Sequence, residues 1–131
     1  MIDSLQFARQ IAAATLDKQA MDPVLIHVAD LVSYADYVLI VSASSSPQMD
    51  AIARHCAVVG KSLGQRALSI EGRKGGGDQD WFLVDFGDLV LHIFRGEARQ
   101  RYDLEGLWLD ALKVALPGVL APVPNKYVAA H

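Results

Sequence analysis

Two carboxylates in the second half of the chain have the side-chain chemistry of a metal site. Asp85 and Asp88 lie on either side of Phe86-Gly87, between two apolar runs. Paired carboxylates bind divalent cations in polymerase-like centres, but such centres need a tight cluster of acidic groups. Asp85 and Asp88 flank a turn instead of alternating along one strand, so their spacing disfavours a two-metal site.

Three successive glycines and three successive serines suggest a nucleotide ligand. Gly75-Gly76-Gly77 is not followed by the Gly-Lys-Ser/Thr sequence of a phosphate-binding loop, and no helix pattern follows it. Ser44-Ser45-Ser46 precedes Pro47, a combination that is typical of a helix start. A nucleotidyltransferase-like enzyme that uses these serines and Asp85 with a divalent metal remains the alternative to a binding protein.

The histidines and the single cysteine give no catalytic pattern. Cys56 directly follows His55, but neighbours on a helix do not face each other, and Cys56 falls on an apolar stripe. The histidines are scattered and lack the spacing of zinc ligands: His27, His55, His92 and His131. We therefore expect no catalytic residue, no metal site and no cofactor.

Composition and charge restrict the class of partner. The chain has 131 residues, 52% apolar and 21% charged, which is typical of one globular domain. Its formal net charge is −3, and it has no basic stripe of the kind that binds nucleic acid, so a basic protein is the expected partner. The single cysteine suits a reducing compartment, and no stretch resembles a membrane span or a signal peptide. A cytoplasmic location is expected.

Hydrophobic periodicity predicts alternating helices and strands in the first half of the chain. Asp3 precedes apolar residues at helical spacing, which predicts a capped helix that ends near Ala20, before Met21-Asp22-Pro23. A second helix is predicted from the three serines to Gly64, which would end it in a left-handed turn. The glycine-containing residues 72–80 form a predicted surface loop. Short strands are predicted at residues 24–28, 37–41 and 67–70, the second of them buried on both faces.

A hairpin is predicted next. Residues 81–85 and 89–94 are apolar runs separated by Phe86-Gly87, which predicts a two-residue turn at that dipeptide. In this register Asp85 pairs with Asp88, and Trp81 pairs with His92. Side chains alternate between the two faces of a strand, so one face is entirely apolar and must belong to the core: Phe82, Val84, Leu89, Leu91 and Ile93.

The remaining residues complete the predicted fold. Residues 97–116 have a helical pattern that is broken near Asp103, which would cap a second segment. Together the elements predict a single α/β domain over residues 1–116, with a mixed sheet flanked by helices. Residues 117–131 contain three prolines and form a predicted tail that is loosely docked.

The outer face of the hairpin is the most informative surface in the sequence. It mixes aromatic, aliphatic and acidic side chains: Trp81, Leu83, Asp85, Asp88, Val90 and His92. An indole beside aliphatic and acidic groups is typical of an interface with a protein that carries arginine and lysine. Two facing carboxylates would also repel each other unless a cationic partner relieved the repulsion. Alternatively, a C-terminal helix covers this face and Trp81 belongs to the core, or the face pairs with a second copy of the chain.

Two long segments carry a recognisable family pattern. The first runs from Trp81 to Phe94, and the second is Arg101-Tyr102-Asp103-Leu104-Glu105-Gly106-Leu107-Trp108. Upstream motifs follow in the expected order: Asp36-Tyr37, the serines before Gln48, Ile52-Ala53 and Glu71-Gly72. In these features the chain resembles the ribosomal silencing factor RsfS family, also called Iojap or YbeB, over about residues 5–111.

This resemblance implies an α/β fold akin to the nucleotidyltransferase core without its catalytic carboxylates. It also implies binding to large-subunit ribosomal protein fourteen (uL-fourteen), which would keep the ribosomal subunits apart and repress translation. Together with the outer face of the hairpin, it assigns the partner contacts to Trp81, Leu83, Asp85, Phe86, Asp88, His92, Tyr102, Leu104 and Leu107.

The chain departs from the family pattern at three places, namely Pro47, Phe86 and the longer glycine loop. Phe86 replaces a frequent tyrosine. The missing hydroxyl would remove one hydrogen bond, worth about 1 kcal/mol.

Overall fold

The computed structural model describes residues 2–72 and 79–116. The described elements are α1 (Ser4–Asp17), β1 (Met21–His27), β2 (Tyr37–Ala43), α2 (Ser46–Ser62), β3 (Ser69–Glu71), β4 (Trp81–Asp85), β5 (Leu89–Arg95), α3 (Ala98–Tyr102), α4 (Leu104–Leu107) and β6 (Leu112–Val114). The centre of the predicted glycine loop and the predicted tail lie outside the described residues.

The strands form one sheet in the order β3-β4-β5-β2-β1-β6. β2 and β5 run parallel, and the other neighbouring strands run antiparallel. The predicted α/β fold with a mixed sheet is therefore confirmed. No helix in the described part of the chain has the length and apolar character that crossing a membrane requires.

Helix α1 begins where the sequence predicts but ends earlier. The carboxylate of Asp3 accepts a hydrogen bond from the backbone N–H of Gln6 at 2.8 Å, which caps the first turn. The predicted end near Ala20 is wrong, because the helix stops at Asp17 and Gln19 adopts a left-handed backbone conformation with φ of 65°.

The strands β1 and β2 are longer than predicted. β1 begins at Met21, and a bulge between Met21 and Val24 contains Pro23, which has no N–H to donate to a neighbouring strand. β2 lies between β1 and β5 and extends to Ala43. Residues 38–41 of β2 are fully buried, so the predicted burial on both faces is confirmed.

Capping residues join α2 to the end of α1. Ser45 Oγ accepts a hydrogen bond from the backbone N–H of Gln48 at 3.2 Å, which confirms the predicted serine cap. The side-chain amide of Gln48 donates to the carbonyl oxygens of Lys18 and Gln19 at 3.0 and 2.9 Å. At the other end, Gly64 has a φ of 91°, the left-handed conformation predicted there.

The hairpin of β4 and β5 has a different register from the predicted one. The backbone N–H of Phe86 donates to the carbonyl oxygen of Leu89 at 2.8 Å, so the turn residues are Gly87 and Asp88. Gly87 has a φ of 92°, which glycine tolerates at the first turn position. Asp85 therefore faces Val90 and not Asp88, and the remaining pairs move by two residues: Trp81 with Phe94, Phe82 with Ile93, Leu83 with His92 and Val84 with Leu91.

Burial of Phe86 explains the displaced turn. Its ring is 2% exposed and packs edge-on against Phe7, with 5.3 Å between the ring centroids. A turn at Phe86 would leave this ring in water, at a cost of about 2 kcal/mol. Helix α2 approaches the ring so closely that a Cβ at Gly60 would lie 2.6 Å from a Phe86 ring carbon.

The C-terminal segment is only partly helical. The predicted break is confirmed, because Asp103 ends α3 with a φ of 49° and its carboxylate accepts from the N–H of Gly106 at 3.1 Å. The predicted second helix is wrong beyond Leu107, where α4 ends. Residues 112–114 instead form β6, which pairs with β1 and places Val114 opposite Leu25. The free edge of β1 offers strand hydrogen bonds that the helical spacing of apolar residues does not reveal.

Two hydrophobic cores lie on opposite faces of the sheet. Helices α1 and α2 cover the larger core, which contains the hairpin face predicted to be buried. The smaller core, on the other face, consists of Val24, Ile26, Val28, Val38, Ile40, Phe94, Ala98 and Trp108. Trp81 and Leu104 pack at its margin and are only partly buried.

Candidate protein-interaction site

Trp81 is the centre of an aromatic cluster on the face opposite α1 and α2. Its ring packs against Tyr102 and Phe94, with 4.5 and 5.1 Å between the ring centroids. The indole Nε1–H donates a hydrogen bond to Nδ1 of His92 at 3.0 Å. Tyr102 is 46% exposed and Phe94 is fully buried, so the cluster reaches from the core to the surface.

The hydrogen bond from Trp81 fixes the protonation state of His92. An indole N–H can only donate, so Nδ1 of His92 accepts and the proton of the neutral ring is on Nε2. Burial lowers the pKa of His92 from 6.5 to about 4. Protonation of Nδ1 would remove this acceptor and place a charge in an apolar site.

The lowered pKa makes stability depend on pH. Between its unfolded value of 6.5 and its folded value of about 4, His92 binds a proton in the unfolded chain and not in the folded one. The free energy of unfolding therefore falls as the pH decreases through this range, by about 2 kcal/mol between roughly pH 7.5 and pH 5.

Urea unfolding of wild type and His92→Asn at both pH values measures this contribution. Asparagine retains an acceptor near Nδ1 but does not titrate, so the pH-dependent loss should be about 2 kcal/mol smaller in the variant. Equal losses in the two proteins would contradict the prediction.

Acidic groups border the Trp81 cluster on the side of β3. Glu71 lies beside Leu83 across the β3–β4 ladder, and Ser69 lies beside Asp85. Glu71 is exposed and Asp85 is half-buried. Asp85 Oδ1 accepts from the backbone N–H of Gly87 at 2.8 Å, which orients this carboxylate. An indole, an aliphatic side chain and two carboxylates therefore lie within two adjacent strands, β3 and β4.

A buried ion pair attaches α3 and α4 to the sheet. The guanidinium of Arg99 donates to both carboxylate oxygens of Glu105 at 3.0 and 3.2 Å and to Ser42 Oγ of β2 at 2.8 Å. The Arg99 and Glu105 side chains are each 9% exposed. Arg101 pairs with Asp80 at 2.6 Å, immediately before β4. These bonds hold α3 and α4 in the position that places Tyr102 on the indole.

The structure places six of the predicted contact residues on or beside one face. We call this group the Trp81 surface: Trp81, Leu83, Asp85, Tyr102, Leu104 and Leu107. Tyr102 and Leu107 are 46% and 69% exposed, and Trp81, Leu83, Asp85 and Leu104 are half-buried. Helices α3 and α4 therefore cover part of this face and leave the rest open.

Three predicted contact residues are not part of the Trp81 surface, because they are buried or lie on the other side of the sheet. Phe86 is in the larger core, and Asp88 Oδ2 accepts from Ser4 Oγ of α1 at 3.4 Å, on the helix side of the sheet. His92 is beneath Trp81 and only 7% exposed. In this conformation, Phe86 and His92 support neighbouring side chains.

The residues considered for catalysis have structural roles. Ser44 Oγ donates to the side chain of Gln48 at 2.8 Å, and Ser46 Oγ donates to the carbonyl oxygen of Gln79 at 3.3 Å. Burial raises the pKa of Cys56 to about 12, so its thiol stays protonated at neutral pH. Within residues 2–72 and 79–116, no group of three or more His, Cys, Asp or Glu side chains is arranged to hold a metal ion.

Sequence reasoning missed Glu71 and the Arg99–Glu105 pair. Residues six apart do not share a face of a continuous helix, so the pair forms only because the chain turns at Asp103. The sequence feature that could have indicated this ion pair is the predicted helix break at Asp103, which has charged residues on both sides. Glu71 reaches the surface through the register of β3, which a three-residue strand does not specify by itself.

Comparisons with known proteins agree with the fold. The family described as ribosomal silencing factor during starvation matches residues 2–130. The ribosomal silencing factor RsfS of Halalkalibacterium halodurans is 35% identical over 105 residues, which cover 80% of this chain and 87% of that protein. The mouse protein named mitochondrial assembly of ribosomal large subunit protein 1 is 34% identical over 94 residues, which cover 70% of this chain and 40% of that protein.

A solved structure has a similar fold. The crystal structure of a protein from Chromobacterium violaceum superimposes with a TM-score of 0.77 and 25% identity, over 92% of this chain and 98% of that one. The match extends over nearly the whole described fold. By sequence, the chain belongs to the RsfS (Iojap) family of ribosomal silencing factors.

Proposed function

We propose that this protein binds the large ribosomal subunit through ribosomal protein fourteen (uL-fourteen) and sterically blocks association with the small subunit. Translation is repressed because the joined ribosome cannot form. The protein acts in the cytoplasm by occupying a surface, and it makes or breaks no covalent bond.

The Trp81 surface is the observation that carries this proposal. An indole fixed by Tyr102 and His92 is a rigid anchor, and rigid aromatic side chains dominate the binding energy of protein interfaces. Asp85 lies on the same strand as Trp81 and Glu71 lies on the neighbouring strand β3, so a basic partner finds complementary charge on the face that carries an apolar anchor.

Direct contacts are assigned to the exposed and half-buried members of the surface: Trp81, Leu83, Asp85, Tyr102, Leu104 and Leu107. His92 acts indirectly by orienting the indole, and Phe86 acts by fixing the turn that precedes β5. Asp88 is exposed at that turn and contributes at most to the rim of the interface.

Sedimentation of purified ribosomal subunits tests the proposal. Joined particles are formed in magnesium buffer with and without a molar excess of this protein and separated on a sucrose gradient. We expect the joined peak to disappear and the protein to migrate only with the large subunit. Migration with the small subunit, or a joined peak that persists at saturating protein, would refute the proposal.

A further inference from the structure

A groove lies at the opposite edge of the molecule from β6, between α2 and the edge strand β3. It has a volume of about 450 Å³ and is open to solvent. Its walls are mostly apolar and carry two cations: Ala57, Val58, Lys61, Arg66, Ala67, Ser69 and Ile70. Val58 is an apolar residue that is 66% exposed, on the solvent side of α2.

The two cations of the groove have no acidic partner within the part of the chain that the structure describes. Lys61 and Arg66 are exposed, and neither forms an ion pair with another residue in the described ranges. The chain as a whole has a formal net charge of −3, so the groove is a positively charged site on a negatively charged protein. Ligands of opposite charge are favoured at such a site.

Strand β3 gives the groove a second binding element. Among the described residues it pairs only with β4, as the terminal strand of the six-stranded sheet. An edge strand presents unpaired N–H and C=O groups, which an extended peptide can use to add a further strand. Ile70 faces α2 from β3, because it lies beside Val84 of the larger core.

We propose that this groove docks an extended, acidic and apolar segment of a partner polypeptide. The segment adds along β3, with alternate apolar side chains against Val58 and Ile70 and carboxylates beside Lys61 and Arg66. Asp85 of the Trp81 surface and the neighbouring Glu71 lie on the other face of the sheet, so the two surfaces select partners of opposite charge. The apolar walls favour a polypeptide over RNA, whose phosphates would require more cations.

Titration of the ¹⁵N-labelled full chain with a synthetic peptide tests the docking. The probe is an eight-residue peptide of alternating valine and glutamate, and its counterpart has lysine in place of glutamate. We expect amide shifts at Val58, Ser69 and Ile70 with the glutamate peptide and none with the lysine peptide. The double variant Lys61→Glu/Arg66→Glu should weaken binding about tenfold, since two attractive charges become repulsive.

The control variant Lys18→Glu reverses an exposed charge at the end of α1 and should leave the peptide affinity unchanged. Large-subunit binding by Lys61→Glu/Arg66→Glu should equal that of wild type, which separates this site from the proposed ribosomal one. The inference is overturned if millimolar peptide shifts no groove amide, or if an oligouridylate shifts the same amides as strongly. It is also overturned if the groove amides shift when the protein concentration alone is raised, because that result would indicate self-association.

Discussion

Replacing Trp81 with alanine is expected to weaken binding to the large ribosomal subunit by about thirtyfold or more, which corresponds to 2 kcal/mol or more. The indole contacts Tyr102 and Phe94 and donates to His92, so its position is fixed before binding and little entropy is lost on docking. Fluorescence anisotropy of labelled protein with purified large subunits measures the dissociation constant.

Two further variants make the Trp81 experiment interpretable. Leu68→Ala truncates a side chain that is 71% exposed and lies outside the Trp81 surface, so it should bind as wild type does. Trp81→Phe keeps an aromatic ring but loses the bond to His92, so its affinity should lie between those of wild type and Trp81→Ala. A folded Trp81→Ala protein, verified by circular dichroism, that binds as tightly as wild type would show that the partner uses another surface.

Glu105→Ala is expected to lower the free energy of unfolding by about 4 kcal/mol, because it leaves the guanidinium of Arg99 buried without its carboxylate. The pair is bidentate, and both side chains are 9% exposed. Urea denaturation at neutral pH measures the effect. Because the pair holds α3 and α4 on β2, the variant should also bind the large subunit more weakly than its unfolded fraction explains.

A surface pair and a double substitution are the matched controls for Glu105→Ala. Arg54 pairs with Asp50 at 2.7 Å on α2, but its side chain is 63% exposed, so Arg54→Ala should cost no more than about 0.5 kcal/mol. Arg99→Met/Glu105→Leu removes both charges and should recover most of the stability that Glu105→Ala loses. If Glu105→Ala and Arg54→Ala are equally mild, the buried pair does not hold the helices on the sheet.

The hairpin shows which errors sequence reasoning tolerates. The predicted register differs from the observed one by two residues, yet the side chains of both strands are predicted on the correct faces, and only the turn residue Asp88 lies on the other face. Side chains alternate with a period of two, so an even shift changes the partners and preserves the faces. In the observed register Asp85 does not face Asp88. The charge repulsion between them, on which part of the interface prediction depends, is therefore absent from the ladder.

The C-terminal segment shows where local pattern fails. Apolar residues spaced like a helix also fit a strand of three residues, and residues 112–114 pair with β1 because the edge of that strand is free. Similarly, Arg99 and Glu105 have no favourable spacing in a continuous helix. Only the left-handed residue Asp103 brings their side chains together.

The sequence by itself determined the helix caps, the buried central strand, the faces of the hairpin and the family, since each depends on residues close together in the chain or on two long signatures. Only the tertiary structure decided that Phe86 and His92 are buried, that Glu71 joins Asp85 on the sheet face that carries Trp81, and that Tyr102 packs on Trp81. These outcomes depend on contacts between elements distant in sequence, and local propensity carries no information about which elements meet.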